Sequence, residues 1–263
     1  MFSGGVSIEW WAVLLLCLVA LVAGWVDAVS GGGGLLQVPA LLLAVPASQP
    51  ATALGTNKMS SIFGTFAAAV TYARREPPDI RTALPMAAAA FGGSALGALV
   101  ALRLPVEVLR PVVVLALTAV WFLIAVRPRW GLAEGRAVSR RRRMGTAIAG
   151  GLGIGFYDGM LGPGTGAFLI VLLVASLGYS YLRASGTAKI VNVGTNLAAI
   201  IVFGLGGSIL WVVGLAMGAA NIVGGIIGAR TALSRGSGFV RAVLLVVVAV
   251  LLVTLVWDTW RTW

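Results

Sequence analysis

The chain contains two lysines, Lys58 and Lys189, and both lie inside hydrophobic runs. Each follows a Gly-Thr step. Upstream of each stands an aspartate and then a glycine-rich break: Asp27 before Gly31, Gly32, Gly33 and Gly34, and Asp158 before Gly162, Gly164, Thr165 and Gly166. The second set repeats the first at an offset of 131 residues, Asp27 onto Asp158 and Lys58 onto Lys189. Gly24, Gly31, Gly33, Gly55 and Thr56 map at the same offset onto Gly155, Gly162, Gly164, Gly186 and Thr187, without a gap.

The chemistry open to this unit follows from the residue types. Each lysine stands about eight residues into its span, roughly 12 Å along a helix towards the middle of a bilayer. A charge there is costly unless paired or hydrated, so such residues are usually functional. The alternative is snorkelling to the headgroups. Asp27 and Asp158 can serve as ion-pair partners for the lysines or as proton carriers; the alternative is an acid that caps freed backbone amides at the break. A break followed by a short helix directs a positive helix end at the gap. With a lysine nearby, that arrangement favours an anion, although glycines also serve close helix packing. No GK[ST] follows either break, which excludes a phosphate-binding P-loop.

Polar residues on the lysine spans can add hydrogen bonds: Thr56, Ser60 and Ser61 in the first half, and Ser185, Thr187, Asn192 and Asn196 in the second. Lys189, Asn192 and Asn196 are spaced by three and four and share one helix face. Asparagines in membrane spans also act as interhelical glue. The expected anion site therefore comprises Lys58, Lys189, Asp27, Asp158, the break residues Gly31–Gly34, Gly162, Gly164 and Thr165, and Thr56, Thr187, Asn192 and Asn196.

The elements that must hold these residues are set by composition. Hydrophobic residues make up 59% of the 263 and charged residues 10%. A soluble domain carries about 25% charged residues, so the chain reads as an all-α integral membrane protein. One cysteine, Cys17, excludes an internal disulfide, and the absence of histidine removes the commonest general base and metal ligand. No cofactor is expected, and an enzyme is the least favoured class. No basic region precedes the first apolar run, so no cleavable leader is expected.

The apolar runs cover residues 9–29, 35–45, 50–73, 82–102 and 108–126, then 144–160, 166–177, 181–205, 209–229 and 239–257. The runs 35–45 and 166–177 are too short to cross alone and read as re-entrant helices, leaving about eight transmembrane helices. Arg103, Pro105 and Glu107 mark one turn; Trp257, Trp260 and Trp263 mark the final interface. The whole chain, 1–263, reads as one transmembrane domain, with repeats at 9–126 and 144–258. Gly93 and Gly97 form a GxxxG-type face, matched at the same offset by Gly224 and Gly228.

Of the 19 basic residues, 17 are arginine, and seven fall between Arg127 and Arg143. Positive charge near span ends marks the cytoplasmic side, so 127–143 is expected to be a cytoplasmic loop. One short basic loop between spans does not suggest nucleic-acid binding. The turn with Arg74, Arg75 and Arg81 falls on the same side, whereas its uncharged counterpart at 204–208 falls outside. Equivalent turns on opposite faces predict inverted-topology repeats around a midplane site, with both termini outside.

The segments GGGGLLQVPALL and ATALGTNKMSSIFG, and GFYDGMLGPGTGAFLI and RASGTAKIVNVGTNLAAIIVF, resemble the TauE/SafE family of bacterial membrane proteins over nearly the whole chain. The resemblance implies export of small sulfur-containing anions, such as sulfite or organosulfonates, across the inner (cell) membrane. The expected function is a secondary transporter of a small anion in the lipid bilayer. With no ATPase motif, coupling to a proton or ion gradient is expected. A membrane scaffold or a passive anion channel are the competing readings.

Overall fold

The computed structural model describes residues 9–44, 50–103, 118, 121–122, 124–127, 129–135 and 138–261, with side chains as far as Val253 apart from residue 251. Eight helices are described: α1 Trp10–Ser30, α2 Gly34–Ala44, α3 Pro50–Ala73, α4 Ile80–Ala101, α5 Arg140–Met160, α6 Thr165–Leu177, α7 Tyr181–Leu205 and α8 Trp211–Arg261. No strand occurs among the described residues.

Each boundary has a local cause. α1 is apolar throughout its first four turns and stops at Gly31, whose φ of 79° is left-handed and whose N–H donates to the Asp27 carbonyl at 2.8 Å. Asp79 caps α4 by accepting from the Arg81 N–H, and Ser180 caps α7 by accepting from the Arg183 N–H. α2 and α6 are short and follow the two breaks directly.

Among the described residues, four segments are long and apolar enough to cross a bilayer: Trp10–Ser30, Ile80–Ala101, Tyr181–Leu205 and the Trp211–Val250 part of α8. α3 carries the polar stretch from Thr56 to Ser61, and α5 opens on four arginines, which lowers the hydropathy of both. The outer surface is apolar, with Leu14, Leu18, Phe66, Leu96, Ile201, Val223 and Val246 exposed. Polar and charged side chains are instead buried inside, among them Lys58, Asp158, Lys189 and Asn196. That inside-out distribution suits a lipid environment.

Three expectations need correction. The spans expected at 209–229 and 239–257 form one helical element interrupted at Gly236 (φ 80°, ψ −179°), and the helix runs on to Arg235 rather than ending at 229. Nothing in the Arg230–Arg235 sequence breaks a helix; Gly236 does. The basic loop is shorter than expected, because Ser139 caps α5 through the Arg142 N–H and Arg140–Arg143 form its first turn. Neither Asp27 nor Asp158 caps a helix N-terminus; both sit in the last turn of a helix, α1 and α5. Most of the run expected at 108–126, with Pro105 and Glu107, lies outside the described residues, as do the side chains of Trp257, Trp260 and Trp263.

The main packing joins the first four helices to the last four: α1 with α8, α4 with α5, α3 with α8, α4 with α7 and α3 with α7. Each pairing has its counterpart 131 residues along the chain, and α3–α7 is its own counterpart. The correspondence reaches single contacts. Gly93 and Gly97 on α4 abut the carbonyls of Leu152 and Phe156 on α5, while Gly224 and Gly228 on α8 abut those of Leu21 and Trp25 on α1. A side chain at any of the four would strike backbone. Close backbone approach is what holds helices together where lipid removes the hydrophobic drive.

Loops mark the two ends of α3, a helix about 36 Å long. The loop after its C-terminus (74–79) lies beside the α6–α7 loop, where Tyr179 Oη donates to the Asp79 carboxylate and shares a 2.9 Å hydrogen bond with Thr82 Oγ1. The basic segment joins them: Gly135 N–H donates to the Gly178 carbonyl at 2.7 Å, and Arg183 pairs with Glu134 at 3.0 Å. The loop at 206–210 packs instead against the start of α3, at Gly55 and Thr56.

Candidate functional site

Lys58 on α3 pairs with Asp158 at the end of α5, Nζ to Oδ1 2.7 Å. Lys189 on α7 pairs with Asp27 at the end of α1, Nζ to Oδ2 2.8 Å. Each pair therefore joins one half of the chain to the other. The Lys58–Asp158 side chains are 3% and 5% exposed, and Lys189 is fully buried, with Asp27 at 17%. Lys189 Nζ also donates to the Asp27 backbone carbonyl, and Thr65 Oγ1 donates to Asp27 Oδ2 at 3.3 Å. Two buried lysines, each held by a carboxylate, leave no net charge. Pairing of this kind is what an apolar interior demands of acidic and basic side chains.

The breaks bring the pairs together. Gly31 lies with its backbone against that of Gly166, so the two interruptions touch, and neither position has room for a Cβ. The second break turns through Gly162 at φ 89° and Gly164 at φ 82°, either side of Pro163. It is held by Tyr157 Oη donating to the Pro163 carbonyl and by Thr165 Oγ1 donating to the Gly162 carbonyl at 2.7 Å. Tyr157 in turn packs edge-on against Phe168 of α6, ring centroids 5.0 Å apart.

Between the breaks lies a cavity of about 30 Å³, room for roughly two water-sized bodies. Asp27, Lys58, Asp158, Gly31 and Gly162 line it. Gly34 and Thr165–Gly166, at the N-termini of α2 and α6, close it with the positive ends of two helices. Asn192 and Asn196 of α7 complete the wall together with Asn57, Ser61 and Thr65 of α3.

The other residues expected at the site lie off the cavity wall. Lys189 stands behind Asp27. Gly32 and Gly33 pack against Val247 and Ala23, and Gly164 caps α6. Thr56 accepts from the Leu210 N–H at 3.0 Å, and Thr187 is buried within α7. Two polar residues on the site side carry no counterpart at the offset: Asn57 stands where the other half has Ala188, and Gln37, which donates to Ser61 Oγ at 3.3 Å, stands where it has Phe168. Their signal was polarity in an apolar run beside a lysine and beside a break.

Apolar helices closed around buried ion pairs, two interrupted segments and a small polar cavity define a multi-pass membrane protein with an internal polar site. Residues 16–255 match the family described as "Sulfite exporter TauE/SafE". Among curated relatives, the chain is 36% identical over 88% of its length to "Probable membrane transporter protein ORF9" of Sinorhizobium sp, covering 87% of that protein. It is 34% identical to "Probable membrane transporter protein" of Haemophilus influenzae (89% and 90% of the two chains) and 33% identical to "Probable membrane transporter protein YfcA" of Escherichia coli K12 (89% and 86%). No solved structure matches. The chain belongs to the TauE/SafE family of membrane transporters.

Proposed function

We propose that the protein is a secondary transporter that exports a small anion, a sulfur oxyanion or organosulfonate, across the bacterial inner membrane. The observation that carries this reading is the exchange of ion pairs between the halves around one cavity, with two helix N-termini facing it. Lysine charge and helix-end amides together favour an anion. The small volume favours a compact one, and the description of the matching family favours sulfur chemistry.

The chain is one transmembrane domain of two inverted repeats, 9–126 and 144–258, with about eight crossing helices and α2 and α6 re-entrant. In support, the equivalent loops 75–79 and 206–210 lie at opposite ends of α3, and the basic turn at 74–81 lies on the same side as the central basic segment. That side is cytoplasmic by its arginines. Transport then alternates between the two ends around the fixed site, as in other repeat-built transporters, driven by an ion gradient.

The test is uptake into proteoliposomes of sulfite, sulfoacetate, thiosulfate and chloride. Wild type should take up a sulfur anion saturably, and Lys58→Met and Lys189→Met should not. Wild-type rates in both variants would overturn the anion site. A flux that rises linearly without saturating would instead indicate a channel.

A further inference from the structure

We propose that Asp158, and not Asp27, binds one proton with each anion, so that the protein moves anion and proton outward together, driven by the anion's own outward concentration gradient. The inference rests on the anion-transport reading above. Lys58, Asp158, Lys189 and Asp27 sum to zero charge at the site. An arriving anion alone would leave one buried negative charge without a partner, which the partial charges of two helix ends do not balance. An anion arriving with a proton keeps the sum at zero. The proton comes from water and forms an O–H bond on one carboxylate, whose charge goes from minus one to zero as the anion brings minus one. On release at the other side both leave, and the carboxylate takes its lysine back.

The two acids are not equivalent candidates. Asp27 Oδ2 accepts from both Lys189 and Thr65, and Lys189 is held a second time by the Asp27 backbone carbonyl. Protonating Asp27 would leave Lys189 anchored on that carbonyl, off the cavity wall. Asp158 differs on each count. Its Oδ1 holds Lys58, whereas Oδ2 is buried and accepts no hydrogen bond from any described residue. The residue is 4% exposed and lines the cavity, as does Lys58. A proton on Oδ2 displaces no donor, and it loosens the one lysine that faces the space where an anion would sit.

The groups facing Asp158 are few. Lys58 faces it from α3, and Asp27 of α1, which holds Lys189 of α7, lines the same cavity. On its own helix the Tyr157 hydroxyl is committed to the Pro163 carbonyl. α7 adds only the amides Asn192 and Asn196 to the wall. α6 contains no titratable residue, and the one charged residue of α4, Arg81, is exposed at the helix's far end.

The experiment is calorimetric titration of the purified full chain with isethionate, a sulfonate that stays ionised throughout the neutral range. Paired buffers of different ionisation enthalpy count the protons taken up. Wild type should take up about one proton per anion, and its affinity should fall about tenfold for each pH unit of increase where that uptake occurs. Asp158→Asn should bind with no proton uptake and a flat pH profile, and the protonated-carboxyl infrared band that appears when wild type binds isethionate should shift in Asp158→Glu but not in Asp27→Glu. Anion binding by wild type without proton uptake would overturn the coupling and leave the anion site standing. Uptake that persists in Asp158→Asn, or a band that shifts in Asp27→Glu and not in Asp158→Glu, would overturn the assignment to Asp158. If Asp158→Asn does not survive purification, the infrared comparison of the two glutamate variants decides. Failure of wild type to bind isethionate, sulfite or thiosulfate would overturn the anion reading itself, and the coupling with it.

Discussion

Replacing Lys58 by methionine keeps the length of the side chain and removes the cation that holds Asp158. The carboxylate left behind is 5% exposed, with one oxygen already lacking a donor. Removing one partner of a buried pair costs about 3–5 kcal/mol, because the other charge is stranded. For a chain of this size each kcal/mol lowers the unfolding midpoint by about 2–4 °C, so Lys58→Met should unfold roughly 6–20 °C below wild type. Asp158→Asn should fall by a similar amount for the converse reason. The double variant Lys58→Met/Asp158→Asn strands no charge and should recover to within about 1–2 kcal/mol of wild type, since neutral replacement of a whole buried pair is often tolerated. The coupling between the two changes is then at least about 4 kcal/mol, against the roughly 0.5 kcal/mol expected of independent sites. Lys58→Met with Asp27→Asn crosses the pairs and should show coupling below about 1 kcal/mol. Thermal unfolding of the helical circular dichroism signal in detergent measures all six chains, wild type, the three single variants (Asp27→Asn included) and the two double variants. Larger coupling of Lys58 to Asp27 than to Asp158 would refute the exchanged pairing, and with it the account of how the halves meet.

Two further outcomes follow from the packing and the loops. Gly93→Val and Gly224→Val force a side chain into the carbonyls of Leu152 and Leu21 and should each lose about 1–3 kcal/mol. Gly92→Ala and Gly153→Ala, whose added Cβ would meet nothing within 4 Å, should gain about 0.5–1 kcal/mol, read from the same midpoints. At the Asp79 cluster, burial pushes the carboxyl up, but hydrogen bonds from Tyr179 and Thr82 and the Arg183 guanidinium outweigh it and hold it below the usual carboxylate range. A depressed acid stabilises above its unfolded-state pKa, and that gain is lost as pH falls through the folded value. Asp79→Asn should therefore unfold below wild type at neutral pH, and the two midpoints should converge as pH falls below about 4.

The offset of 131 residues made the site legible to a useful depth. It picked out both lysines, both aspartates and both breaks, and the structure brings the four charged residues together around the touching breaks. It could not say which aspartate meets which lysine, because a repeat maps onto itself equally well under either pairing; only the packing of one half on the other decides that. It was also blind to Asn57 and Gln37, whose counterparts are Ala188 and Phe168, since a search for matched residues passes over unmatched ones. Boundaries at Gly31 and Gly164 were visible from glycine itself. The arginines at 140–143 were read as loop because charge sets orientation, whereas Ser139 and helix propensity decide local structure.

The most direct test of the central claim, that the exchanged ion pairs form one anion site, uses the neutral variant Lys58→Met/Asp158→Asn, which should fold. Its uptake of sulfite and isethionate into proteoliposomes should be at background while its helical content and unfolding midpoint stay near wild type. Saturable uptake by that folded variant at the wild-type rate would contradict the account.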